Sequence, residues 1–288
     1  MIYLVLCILS STAINLIFKS VSRFNGNTFH IIVINYLVAS LLGLSLAGNT
    51  ISYLFTEPQT WMLLSVVIGT LFILMFHLMS LSVQKAGINP TTIASRLSVI
   101  IPISFSILFF NEYVNQLKVW GIVLAVLSVI LSVYKKKKHA ADKNSILLPL
   151  IIFLGTGLID SLVKYAQDTY LTDELLPSFS TLLFFIAFLI GLSILFFRKN
   201  KISTIVSKGN LLLGIALGIC NFGSIFFIIK ALNKSGYESS SVFGINHIGV
   251  VALSVFAALL LFREKVNKIN WIGIVLAFFA IILLTINK

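Results

Sequence analysis

Ten stretches of this sequence, at residues 2–19, 29–47, 60–83, 90–110, 117–134, 146–165, 177–197, 210–232, 239–262 and 267–286, are apolar almost without interruption. A bilayer core about 30 Å thick is crossed by roughly 20 apolar residues at 1.5 Å rise, and each stretch is close to that length. One soluble core could not bury them. Hydrophobic residues make up 58 % of the chain and charged residues 10 %, against about 45–50 % and about 25 % in a soluble domain. The surplus must face lipid. Barrel strands would alternate apolar and polar residues, whereas these stretches are apolar throughout. The expectation is an all-α membrane protein of ten transmembrane helices. The first stretch lacks a basic leader and a small-residue cleavage site, and is read as a retained span.

The net charge of +12 does not point to nucleic acid. The basic residues sit in short clusters between apolar runs, as in cytoplasmic loops, not in a stripe on a soluble fold. Cys7 and Cys220 each lie inside an apolar run without paired spacing. They indicate neither a disulfide frame nor a zinc site. The connections are short, so no soluble domain is interposed.

The second half of the chain repeats the first. Asn111-Glu112-Tyr113-Val114-Asn115 with Gly121 to Ala125 matches Arg263-Glu264-Lys265-Val266-Asn267 with Gly273 to Ala277, at a constant offset of 152. Asn15 and Lys19 match Asp160 and Lys164, and Ala86-Gly87 matches Ser235-Gly236. The predicted organisation is a five-helix repeat at 1–138, a basic connecting loop at 139–145 and a second five-helix repeat at 146–288. Five crossings is an odd number, so the second copy enters from the opposite side. The copies are then inverted, as in many secondary transporters with a site at the repeat interface. Fifteen Lys and Arg residues fall in loops on one side and five on the other, with Arg96 inside the fourth span. The positive-inside rule puts the fifteen in the cytoplasm, including the loop at 135–143, in a bacterial inner or plasma membrane. Both termini would face outward.

The chain resembles the drug/metabolite transporter superfamily, and within it the EamA-like permeases. The resemblance rests on ten spans in a duplicated plan and on the end of the fourth span of each half. There a Glu leads into a span opened by Gly: Pro102 through Glu112 to Gly121, and Glu264 to Gly273. Ser254 stands where a second proline would match Pro102. The resemblance implies export or exchange of a small metabolite through a central cavity lined by spans one, three, four, six, eight and nine.

A charged side chain at the bilayer centre costs about 2.5–3.5 kcal/mol on insertion scales, so each such residue is a candidate for a site. Arg96 would bind a carboxylate or phosphate, unless it snorkels to the headgroups. Asp160 and Lys164, four apart, share a helix face. They form either an intrahelical ion pair or a coupling site in which Asp160 carries a proton. His77 and the Asn246-His247 pair are candidates for substrate hydrogen bonds or proton relay; a buried histidine also commonly bonds a neighbouring helix. Tyr36, Asn15 and Asn221 complete the substrate-binding candidates, with interhelical bonding as the alternative for the asparagines. Glu112 and Glu264 are expected to cap the following helix.

No His-Glu-x-x-His motif, Gly-x-Ser-x-Gly elbow or Walker A loop is present. Neither a cofactor nor a metal is expected, and the protein is not read as an enzyme. A secondary carrier working by alternating access is the leading reading. An integral-membrane enzyme and a passive channel are the alternatives. The expected partners are a small-molecule substrate and the lipid bilayer. Coupling to protons is left open, as is the choice between monomer and homodimer.

Overall fold

A computed structural model describes residues 1–24, 26–48, 50, 52, 60–85, 88–132, 147–197, 205–262 and 268–286. The basic run at 135–143, the Arg263 to Asn267 motif, Ala86-Gly87, Arg198, Lys199, Lys201 and Lys288 lie outside the described residues.

Eleven α-helices follow one another among the described residues: α1 Ile2–Ser20, α2 Thr28–Ala47, α3 Thr60–Lys85, α4 Ile88–Leu97, α5 Ile100–Phe109, α6 Gln116–Ser132, α7 Leu147–Thr169, α8 Leu176–Phe197, α9 Lys208–Lys234, α10 Ser239–Phe262 and α11 Lys268–Ile286. Among the described residues, seven helices are long and apolar enough to cross a membrane. Three shorter apolar stretches, Ala94–Phe109, Gln116–Leu131 and Lys268–Leu284, coincide with the fourth, fifth and tenth apolar runs.

The fourth run is the one that breaks, into α4 and α5. The break has a local cause. Pro102 has no N–H for the carbonyl four residues back, and its ring crowds that carbonyl. The Ser98 carbonyl instead accepts the Ile101 N–H at 2.9 Å, and Val99 donates to Arg96 O at 3.4 Å, three residues back. The chain passes through a tight turn at Ser98-Val99 and resumes as α5.

The helices gather into two compact units, each drawing on both halves of the sequence. The first comprises Met1–Leu74 and Tyr165–Lys230. Its α2 is capped by Asn27, whose side-chain oxygen accepts from Phe29 N at 3.0 Å and His30 N at 3.2 Å. Helices α2 and α8 pack along their length and run antiparallel. Gly43, near the end of α2, meets Pro177 and Thr181 at the start of α8, while Val33 near the start of α2 meets Gly191 towards the end of α8. Helix α9 lies parallel to α2, with Gly214 on Ile34 and Gly218 on Val38 and the Asn35 carbonyl. Small residues let such backbones approach closely.

The second unit comprises Met75–Lys164 and Ala231–Lys288. Here α6 and α11 pack antiparallel. Gly121 at the start of α6 touches Leu283 and Leu284 at the end of α11, and Asn270 at the start of α11 donates to Leu131 O at 3.0 Å. Helix α10 packs against α5, α6 and α11. Between Ser239 and Val251 every residue of α10 is buried except Asn246.

Candidate functional site

Helix α7 shows two opposed faces. Leu147, Leu150, Leu154 and Leu158 are exposed and recur at three- and four-residue spacing, the pattern of a lipid-facing stripe. Thr156 and Asp160 lie on the other side and are half-buried; Asp160 is about 200° round the helix from Leu158. It also lies about 20 Å along the axis from Leu147, deep within a bilayer core. Its side chain keeps 30 % exposure there. A carboxylate at that depth, turned from the lipid stripe and still accessible, is the signature of a polar recess.

Three other helices of the same unit supply its surroundings. From α10, His247 sets Nε2 3.2 Å from Asp160 Oδ2. The His247 side chain is 9 % exposed, and its Nδ1 has no hydrogen-bond partner. Asn246, next to it, carries an unpartnered buried Oδ1. From α4, Arg96 interacts electrostatically with Asp160. Arg96 occupies the last turn of α4, where a cation favours the negative end of the helix dipole. It reaches Asp160 because α7 packs directly on the break: a Cβ on Gly157 would lie 2.7 Å from Ile101 Cβ and 2.9 Å from Ser98 O. Only glycine permits that approach, one helical turn before Asp160. Lys164, the next turn along α7, is buried and sets its ammonium 4.5 Å from the centre of the Phe110 ring, which closes α5. His77 is half-buried on the α3 segment of this unit.

The remaining sequence candidates belong to the first unit. Asn221 donates to Asn35 Oδ1 at 3.1 Å, both being buried, so its amide ties α9 to α2. Tyr36 is fully buried, with its ring 6.1 Å from Phe184. Asn15 is half-buried on α1. Of the nine candidates, Asp160 and His247 are brought into contact across α7 and α10, and Arg96 of α4 interacts electrostatically with Asp160.

A second polar cluster, not anticipated as a unit, ties the turn before α6 to α10. Glu112 Oε1 accepts Ser239 N–H at 2.8 Å, and Oε2 accepts Ser240 N–H at 3.1 Å and the Ser240 hydroxyl. Lys118 donates to Glu112 at 3.3 Å, to Tyr113 O at 3.1 Å and to Glu238. Burial alone would raise the Glu112 pKa, but the hydrogen bonds from Ser240 and the charge of Lys118 outweigh it and hold the carboxyl below its ordinary value. Glu112 therefore caps α10 across the unit, not the helix that follows it. Asn115 caps that one, accepting Lys118 N–H at 2.9 Å. The run Glu238-Ser239-Ser240-Ser241 is itself a helix-start signal, and is the sequence feature that points to the cluster.

Helices of this length and apolarity define an integral α-helical membrane protein. Residues 144–286 match the EamA-like transporter family. That match identifies the second half of the chain with the EamA-like family, a branch of the drug/metabolite transporter superfamily. It is 28 % identical to an uncharacterized protein of Haemophilus influenzae, over 96 % of this chain and 95 % of that one. A solved crystal structure superimposes with a TM-score of 0.78, covering 99 % of this chain and 96 % of the other at 13 % identity, which establishes a shared fold.

Proposed function

We propose that the protein is a secondary carrier that exchanges or exports a small metabolite by alternating access, with the Arg96–Asp160–His247 recess as its site. The carrying observation is that recess: Arg96 of α4 and His247 of α10 both interact with the partly exposed Asp160 carboxylate of α7, at mid-span. The cost of placing such groups at that depth is characteristic of substrate and ion pathways. The packing of matched spans supports an inverted duplication. The second and seventh apolar runs form the antiparallel pair α2–α8, and the fifth and tenth form α6–α11. Copies related by a two-fold axis in the membrane plane bring equivalent helices together in opposite directions. Residues 1–138 and 146–288 are then the two repeats, ten crossings in all. Without an ATP-binding motif, the driving force is a solute or proton gradient.

The test is counterflow in proteoliposomes loaded with an isotopically labelled small-molecule extract. At least one solute should exchange saturably, accelerated by the same solute outside. Asp160→Asn should abolish that exchange or its response to a pH gradient. Flux that rises linearly with concentration, without trans-stimulation, would identify a channel and sink the carrier reading.

A further inference from the structure

We propose that Asn27, His30 and Asn210 form a proton-sensitive latch in the first unit. It ties the start of α9 to the start of α2 while His30 is uncharged, and protonation of His30 opens it. The latch stands whether or not the protein is a carrier.

Three hydrogen bonds close a ring. His30 N–H donates to Asn27 Oδ1 at 3.2 Å. Asn27 N–H donates to Asn210 Oδ1 at 2.8 Å. Asn210 Nδ2 meets His30 Nδ1 at 3.4 Å. Two backbone groups fix which way the Asn210 amide points. The Asn27 N–H can only donate, so the atom facing it is oxygen. The Ile205 carbonyl can only accept, so the atom 3.2 Å from it is nitrogen. An amide nitrogen carries hydrogens and does not accept. His30 Nδ1 is therefore the acceptor, and in the neutral ring the proton sits on Nε2.

A proton added to Nδ1 sets two donors against each other, and the surroundings oppose it as well. His30 and Asn210 are 6 % and 2 % exposed, beside an apolar cluster of Val21, Ile31, Leu213 and Leu217. His30 lies in the first turn of α2, where the helix dipole disfavours a cation. The charged groups on the elements that meet here are Lys19 at the end of α1, Arg23 in the short 3-10 turn Val21–Phe24, and Lys208 at the start of α9. All are positive. No Asp or Glu occurs between residues 1 and 56 or between 175 and 237, which takes in the whole of α1, α2, α8 and α9 up to its last turns. Asp173 and Glu174 precede the start of α8, which packs on the far end of α2 at Gly43. An imidazolium at this corner meets like charge, and a donor where it had an acceptor.

The backbones around the ring leave little slack. A Cβ on Gly26 would lie 2.8 Å from Ile31 Cδ1, and one on Gly209 2.6 Å from the Phe24 carbonyl oxygen. Repulsion between His30 and Asn210 therefore parts the start of α9 from the segment before α2. Lys19, Arg23 and Lys208 put the latch on the side that the positive-inside rule assigns to the cytoplasm, so the signal it reads is a fall in cytoplasmic pH.

The experiment is hydrogen–deuterium exchange of the full-length protein in lipid nanodiscs, read by mass spectrometry at about pH 7.5 and about pH 5.5, on either side of the ordinary histidine range. Rates are corrected for the intrinsic pH dependence of exchange. In the wild type, peptides covering 21–31 and 205–213 should be protected at the higher pH and exchange at least about tenfold faster at the lower. Peptides covering 39–46, at the far end of α2, should not change. His30→Gln offers an acceptor oxygen that does not titrate, and should keep the protection at both pH values. Asn210→Ala should exchange fast at both. Nitrogen-15 NMR of histidine-labelled protein reads the tautomer directly: the signal missing from His30→Gln should show a bare Nδ1 and a protonated Nε2 at about pH 7.5.

Wild-type protection that is the same at both pH values would overturn the latch. So would a pH response in His30→Gln equal to the wild type, undiminished protection in Asn210→Ala, or a protonated His30 Nδ1 at the higher pH. The wild-type comparison decides by itself if His30→Gln does not fold.

Discussion

Replacing Glu112 with alanine removes a helix cap and half of an ion pair in one step. The cap joins Glu112 to the Ser239 and Ser240 amides at the start of α10; losing an N-cap costs about 0.5–2 kcal/mol. The pair involves Lys118, which is 1 % exposed. Stripping one partner from a buried pair costs about 3–5 kcal/mol when the other charge is left alone. Lys118 keeps Glu238 and the Tyr113 carbonyl, so the loss falls below that range. Together the change should destabilise the protein by about 2–4 kcal/mol, and Glu112→Gln, which retains an acceptor, by about 1–2 kcal/mol. Reversible unfolding in mixed detergent–SDS micelles, followed by far-UV circular dichroism, measures both. The same assay has a pH signature. Because folding lowers the Glu112 pKa, its contribution is fully present above its ordinary value of 4.5 and is lost as pH falls through the lower folded value. An alanine variant within about 0.5 kcal/mol of wild type at neutral pH, or wild-type stability that is flat across the acid range, would refute this account of the cluster.

Two further outcomes test the helix packing. A Cβ on Gly69 would lie 2.4 Å from the Leu183 carbonyl oxygen of α8, so Gly69→Val should lower stability by about 1–3 kcal/mol; an unchanged SDS midpoint would show that α3 and α8 do not approach so closely. Asn221→Leu leaves Asn35 Oδ1 buried without its donor and should cost about 0.6–2 kcal/mol. The Asn35→Leu, Asn221→Leu double variant should recover part of that, and strictly additive losses would contradict the bond.

The helices were legible because a bilayer sets their length, and apolar runs of that length are hard to mistake. Asp160 and Lys164 were legible as one face because four residues is just over one helical turn. The partnership of Asp160 with His247 was not, since it depends on which face α7 turns toward α10. Both residues stood out as costly inside a span; nothing in their spacing joined them. Glu112 shows the same division. That a carboxylate at a span end serves a helix N-terminus follows from the dipole. Which helix it serves was misjudged, because the short side chain of Asn115 already occupies the nearer amide and leaves Glu112 for α10. The division of the fourth run was written in Pro102, but a membrane helix can absorb a proline as a mild bend. The tight turn at Ser98-Val99, with Gly157 pressed against the Ser98 carbonyl, became evident only in the packed structure.

Pro102 has no twin. At the matching place α10 carries Ser254 and continues from Ser239 to Phe262 as one rod. If two duplicated arms swing in turn to open a carrier, identical arms would make its two open forms equal in free energy, with equal dwell times. Here one arm has a tight turn at Ser98-Val99 beside Arg96, and the other is one uninterrupted helix. In such a carrier the two forms would be unequal before any gradient is applied, and the protein would have a preferred resting side.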